Sequence, residues 1–348
     1  MKRVASKVHG FGDALPADVR SPPVADGKRS PVGHPFTRQF GRSVSALGEE
    51  KLITEIRKWL GSASPRAPFG IGDDCAVLPA SNGRQLITVD PVIYPRHFDD
   101  CVPPRQVGAK LLKRNLSDLA AMGGRPSAAV LALTLDPKVS LDWLEKFYRG
   151  LANCARHYAV PIVGGDIAQA DGSLAASLTV LGEATAPRIL TRTGAQCRDW
   201  IFVTGILGGS LRTGHHYAFK PRLAEGAWLA GRPEVRAMMD VSDGIAKDLH
   251  ALTPQGSEPA LVPADIPIRA NSSLRAALTD GEDYELLFIV RGTIDTHRFR
   301  EAWRSVFPRV RLSCVGRFVR AGQVPSGAIN LGAYRGYEHL NIRSRHQP

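Results

Sequence analysis

Two apolar periods divide this chain. Leu47, Leu52, Ile53, Ile56 and Leu60 recur at helical spacing, with Glu49 and Glu50 at the front and Gly61 behind, which predicts a helix. Val107–Met122 predicts a second helix, closed by Gly123-Gly124, and Leu141–Tyr158 a third. Shorter apolar runs predict strands at Leu86–Asp90, Ala128–Leu135, Val160–Val163 and Leu174–Gly182. A second region opens at Trp200–Thr204. There a strand near Met238–Val241 leads into a helix over Asp243–Leu252. A strand at Glu285–Val290, a helix at Ile294–Val306 and a strand at Leu312–Phe318 follow. Helices and strands alternate throughout, so the fold class is α/β (or α+β), in two halves that meet near residues 183–200.

The first 42 residues break the pattern. They are rich in Pro, Gly, Ser and Arg and carry no sustained apolar period, which predicts a disordered basic extension, with order beginning near Ser45. This segment also changes the meaning of the net charge of +12. Residues 1–44 hold eight Lys/Arg against three Asp, and residues 317–348 five Arg against one Glu. The excess therefore sits at the ends, and a nearly balanced body argues against a nucleic-acid groove. No run approaches the ~20 apolar residues of a membrane span. The five cysteines, Cys75, Cys101, Cys154, Cys197 and Cys314, form no C-x-x-C pair. That fits a reducing, cytoplasmic setting and excludes a disulfide framework.

Chemistry enters with the aspartates. Asp73 and Asp74 follow Gly70-Ile71-Gly72, Asp90 closes a predicted strand, and Asp118 lies in Asn115-Leu116-Ser117-Asp118. Asp166 follows Gly164-Gly165, Asp240 and Asp243 flank Val241-Ser242, and Glu282 and Asp283 follow Gly281. Taken singly, an Asp beside Gly is most often a turn residue or a helix cap. Asp118 departs from that, because it interrupts an apolar helical run where Asp has low propensity. Converging carboxylates repel one another unless a cation lies between them. All-oxygen sites of this kind suit Mg²⁺ shared with substrate phosphates. The sequence lacks a G-x-x-x-x-G-K-[ST] loop, the protein-kinase motifs and a G-x-S-x-G elbow. Gly205-Ile206-Leu207-Gly208-Gly209 has the glycines of a nucleotide loop without the spacing, and a plain turn remains its alternative.

Read in order, the motifs resemble the thiamine-monophosphate kinases. They are Gly70–Leu78, Asn115–Gly123, Gly164-Gly165-Asp166, Leu190–Gly194, Val203-Thr204-Gly205, Asp240–Gly244, Gly281–Leu286 and Gly336–His339, spanning Ser45 to Leu340. The resemblance implies the two-domain aminoimidazole ribonucleotide synthetase-like fold. An N-terminal ATP- and Mg-binding domain over 43–185 would pair into a homodimer, followed by a C-terminal α+β domain over 186–340 and a tail at 341–348. It implies ATP-dependent phosphorylation of thiamine monophosphate to thiamine diphosphate by direct in-line transfer, with no side chain assigned as acid or base. Asp74, Thr88, Asp90, Asp118, Asp166, Asp240 and Asp243 then stand as Mg²⁺ ligands. Gly165, Asp166, Arg192 and Ser242 stand at nucleotide positions, and His97, Glu282 and Tyr334 at acceptor positions. This chain departs from the family pattern at Val89, at Ile93-Tyr94-Pro95-Arg96, at Ile167-Ala168, at Thr279-Asp280 and in a shortened stretch between Gly205 and Asp240. The departures crowd the acceptor side, so two alternatives stay open: a kinase of the same fold with a different small acceptor, and a nucleotide-binding regulator.

Overall fold

A computed structural model describes residues 42–337 apart from 68, 72–74 and 82. The expectations for the basic extension over 1–41, for Asp73 and Asp74, and for the closing motif after Tyr337 lie outside the described residues. In chain order the main elements are α1 (Glu49–Leu60), β1 (Gln85–Ile93), α2 (Pro104–Ala121), β2 (Gly124–Leu135), α3 (Leu141–His157), β3 (Ile162–Gln169), β4 (Leu174–Ala184), β5 (Trp200–Thr204), α4 (His215–Ala218), α5 (Leu223–Ala230), β6 (Val235–Asp240), α6 (Ile245–Leu252), β7 (Ser257–Leu261), α7 (Leu274–Thr279), β8 (Leu286–Val290), α8 (Thr296–Val306) and β9 (Leu312–Arg320).

The strands form two sheets. Residues 85–184 give a four-stranded sheet in the order β1-β4-β2-β3, and residues 200–320 a five-stranded sheet in the order β6-β8-β5-β9-β7. In the first, only β2 and β3 run parallel, with Leu131 opposite Gly165 and Ala132 opposite Asp166. β1 lies antiparallel to β4, placing Thr88 opposite Val180 and Asp90 opposite Leu178. α2 and α3 cover this sheet through Leu111, Leu112, Leu116, Leu144 and Leu151, none of which meets water. Burying each such side chain stabilises the fold by about 1.5–3 kcal/mol. In the second sheet, β8 is buried on both faces: Leu287 and Ile289 pack with α6 and α7, while Leu286, Phe288 and Val290 pack with α5 and α8. A strand covered on both faces reads as a continuous apolar run, as Leu286–Val290 does.

One element departs from its sequence pattern in a way that moves a site residue. The strand expected at Val160–Val163 begins at Ile162 and runs through Gly164-Gly165-Asp166 to Gln169, so Asp166 lies within β3 rather than after it. Pairing with β2 carries the strand past the glycines. An added Cβ on Gly165 would stand 2.1 Å from the Leu131 carbonyl oxygen, so the close pairing requires glycine there.

Candidate active site

α2 brings Lys110, Arg114, Ser117 and Asp118 to one side at helical spacing. Opposite, the two-residue period of β1 puts Thr88 and Asp90 on one face and leaves Val89 on the other, 60% exposed. Thr88 Oγ1 donates to Asp118 Oδ2 at 2.5 Å, and an Arg114 Nη2 stands 3.3 Å from Asp90 Oδ1. The second sheet supplies Asp240 at the end of β6, where Ser117 Oγ donates to its Oδ2 at 2.6 Å. A helix under the first sheet and a strand end of the second thus deliver Asp118 and Asp240 to one place.

These two carboxyls do not sit easily as anions. Burial raises both well above the usual carboxylate range. The neighbouring Asp240 charge adds to the rise at Asp118, and Asp248 and Asp90 do the same at Asp240. Arg192 pulls both the other way.

Two cavities meet at the pair. The first, of about 200 Å³, is lined by Asp90, Arg96, His97, Arg114, Ser242, Asp243, Glu282, Tyr284 and Tyr337 as well as Asp118 and Asp240. The second, of about 480 Å³, is lined by Thr88, Thr191, Arg192, Met238 and Met239 together with the same Asp118 and Asp240.

The far wall of the first cavity consists of two loops pressed together. Gly281 has φ +70°, and an added Cβ there would lie 2.6 Å from the Ser242 carbonyl oxygen. Glu282 and Tyr284 also hold left-handed backbone, at φ 52° each. Non-glycine residues rarely adopt it unless their surroundings fix them. Here Glu282 N donates to Ser242 O at 2.7 Å, Tyr284 N donates to Val241 O at 2.9 Å, and the Tyr284 ring stacks on Phe219 with centroids 4.1 Å apart. Asp248 holds the 242–243 turn by accepting from both backbone N–H groups at 3.0 Å. Lys247 ties Asp243 Oδ2 at 2.7 Å and the Tyr337 carbonyl at 2.6 Å.

Glu282 is held from beneath by Lys110, which has no exposed surface. The ammonium donates to Glu282 Oε2 at 3.0 Å and to the His97 carbonyl at 2.7 Å, and lies 2.8 Å from His216 Nδ1. Burial alone would raise the Glu282 pKa, but the His216 contact and Lys110 outweigh it and hold the carboxylate at about 2. For Lys110 the balance is opposite: burial outweighs the attraction of Glu282 and lowers the ammonium to about 8.

Of the residues singled out from sequence, Asp90, Asp118, Asp240, Asp243, Ser242, His97 and Glu282 therefore line one cavity, with Thr88 and Arg192 in the adjoining one. Gly165 and Asp166 do not join them. They line a separate, more apolar cavity of about 210 Å³ with Glu49, Ile53, Ile56 and Tyr148. Tyr334 packs against the core of the second sheet, and the tyrosines in the cavity wall are Tyr284 and Tyr337. Lys110 and Arg114 escaped the sequence reading. Their only signal was that they are two of the three cations, with Lys113, embedded in the apolar run Val107–Met122.

Comparison with known proteins places this architecture. The family model described as AIR synthase related protein, N-terminal domain, matches residues 72–184. The thiamine-monophosphate kinase of Salmonella typhimurium is 36% identical over 284 residues, covering 72% of this chain and 86% of that protein. Among solved structures, the thiamine-monophosphate kinase from Stenotrophomonas maltophilia K279a superposes with a TM-score of 0.65 at 29% identity, over 79% of this chain and 95% of that one. AaThiL complexed with AMPPCP and TMP superposes with a TM-score of 0.63 at 26% identity, over 87% of this chain and all of that one. The fold is thus that of the AIR synthase-like proteins. Within that class, the chain belongs to the thiamine-monophosphate kinase family.

Proposed function

We propose that this chain transfers the terminal phosphoryl group of ATP to thiamine monophosphate, giving ADP and thiamine diphosphate. An oxygen of the acceptor phosphate forms the new bond to the γ-phosphorus as the bond to ADP breaks. The observation that carries this reading is the Asp118–Asp240 pair, shared by two adjoining cavities in a member of this kinase family. Two cavities that share the half-buried Asp118 and the buried Asp240 provide places for a donor and an acceptor with the reacting groups at the junction.

The donor atoms suit a hard divalent cation. They are carboxylate oxygens and the Thr88 hydroxyl, and ionisation of the pair is unfavourable without added positive charge. Mg²⁺ takes oxygen ligands and shares itself with substrate phosphate oxygens and water. Asp90, Asp118, Asp240 and Asp243, with Thr88, would hold it; Asp74, which the family resemblance adds, lies outside the described residues. Bound Mg²⁺ supplies charge neutralisation between two anionic substrates. Arg192, beside the pair, adds a fixed guanidinium for phosphate oxygens. Gly165 and Asp166, which the family resemblance assigns to the nucleotide, line a cavity of their own. Tyr334 supports the acceptor side from the core of the second sheet.

On the same reading, 43–185 is the nucleotide- and metal-binding half that pairs into a homodimer, 186–340 is the second domain, and the protein works in the cytoplasm. Among the described residues no helix is long and apolar enough to cross a membrane. A second reading, the same chemistry on a different small acceptor, draws support from Arg96. Its guanidinium lies 4.8 Å over the Tyr337 ring at the cavity wall, in a stretch that departs from the family pattern.

Incubation with ATP, Mg²⁺ and thiamine monophosphate tests the proposal, with products separated by chromatography. Thiamine diphosphate and ADP should form in equal amounts and disappear with EDTA. Intact thiamine monophosphate beside bound ATP would overturn the acceptor assignment.

A further inference from the structure

Arg114 is 9% exposed, comes from the middle of α2 and reaches the wall of the first cavity. A guanidinium offers five N–H donors in a fixed fork. Among the described residues, one goes to the Pro91 carbonyl and one to Asp90 Oδ1 at 3.3 Å. The buried Nε–H has no hydrogen-bond partner among those residues. An Arg placed only to neutralise Asp90 would make the short, two-point contact of 2.7–2.9 Å that such pairs prefer. Among the described residues its contact with Asp90 is long and one-point, so that ion pair does not occupy the whole fork.

The surrounding charge says what the fork is for. Asp90, Asp118, Asp240 and Glu282 all line this cavity and would repel an anion. Two arginines oppose them. Arg96 is exposed and lies over Tyr337 at the mouth, whereas Arg114 is buried next to Asp90 and Asp118. The inner cation therefore stands near the junction of the two cavities.

We infer that Arg114 grips the phosphate of the acceptor, so that this cavity selects a phosphorylated substrate over the same molecule without its phosphate. This rests on the acceptor reading proposed above. The planar fork suits a tetrahedral phosphate because two parallel N–H groups fix its orientation, which a lysine cannot reproduce. Loss of such a grip should appear in acceptor binding and its KM more than in the handling of ATP.

The test is calorimetric titration of thiamine monophosphate and, separately, of thiamine, with Mg²⁺ present and ATP absent. Wild type, Arg114→Met and Arg114→Lys are compared, and thermal melting is recorded for each. Wild type should prefer the phosphorylated ligand by at least about tenfold, a normal value for one charge-assisted phosphate contact. Arg114→Met should lose that preference while its affinity for thiamine stays within about twofold, and Arg114→Lys should recover only part of it. A preference that survives in Arg114→Met overturns the assignment. So does an equal loss for both ligands with a lowered melting temperature, because Arg114 would then be a structural partner of Asp90. Wild type that binds neither ligand overturns the acceptor reading, and the Arg114 assignment with it.

Discussion

Lys110 shows how a single side chain can be both costly and necessary. A buried ammonium is unfavourable, and its depressed pKa of about 8 reflects that. It persists because Glu282, His216 and the His97 carbonyl surround it. Breaking one side of such a pair costs about 3–5 kcal/mol, because the other charge is left buried alone. Glu282→Gln should therefore destabilise the protein by roughly that amount in urea titrations at neutral pH. Glu282 has its pKa lowered on folding, from an ordinary 4.5 to about 2. Its contribution is therefore present above pH 4.5 and is lost as pH falls through about 2. The stability gap between wild type and Glu282→Gln should close across that acid window, and a gap independent of pH would contradict the ion pair. The carboxylates that line the cavity could be singled out in the sequence because they sit beside glycines, in an apolar helical run or, for Asp90, at the close of a strand. Lys110 and Arg114 were not, because a cation in a helix usually faces water, and only tertiary packing turns these two inward.

At the scale of elements, the long and strongly periodic segments matched their sequence patterns. α1, α2 and α3 fall within a few residues of the spacing that predicts them. β7 was missed because Ser257–Leu261 carries Pro259, which argues against a strand. It is tolerated because β7 lies at the edge of its sheet. α5 and α7, of eight and six residues, are too short to establish a period and form through tertiary packing, α5 chiefly on α2 and α7 on α6. The crossing of α2 and α3 offers a clear test. An added Cβ on Gly150 would stand 2.0 Å from the Arg105 carbonyl oxygen, and one on Gly108 would stand 2.1 Å from the Phe147 carbonyl oxygen. Both neighbours are backbone and cannot swing aside. Gly150→Ala should therefore cost about 1–3 kcal/mol despite the better helix propensity of Ala. A thermal melt unchanged or raised by Gly150→Ala would show that the helices can separate freely.

At the scale of the molecule, the first described residues are tied to the rest of the body. Leu141 N donates to the Arg42 carbonyl, and Val44 N donates to the Val139 carbonyl at 3.0 Å. Removal of residues 1–41 keeps these ties and should leave the turnover of thiamine monophosphate within about twofold. A large loss would show that the stretch contributes to the reaction. Asp118 comes from a helix covering the first sheet and Asp240 from a strand of the second, and both line the same two cavities. If the two carboxylates act as one unit, their losses should not add. The decisive measurement is kcat for Asp118→Asn, Asp240→Asn and the double variant, with folding checked by circular dichroism. Each single change should lower kcat by at least about 100-fold, and the double should fall less than about tenfold further. Near wild-type turnover in either single variant, or losses that multiply in the double, would contradict a shared site.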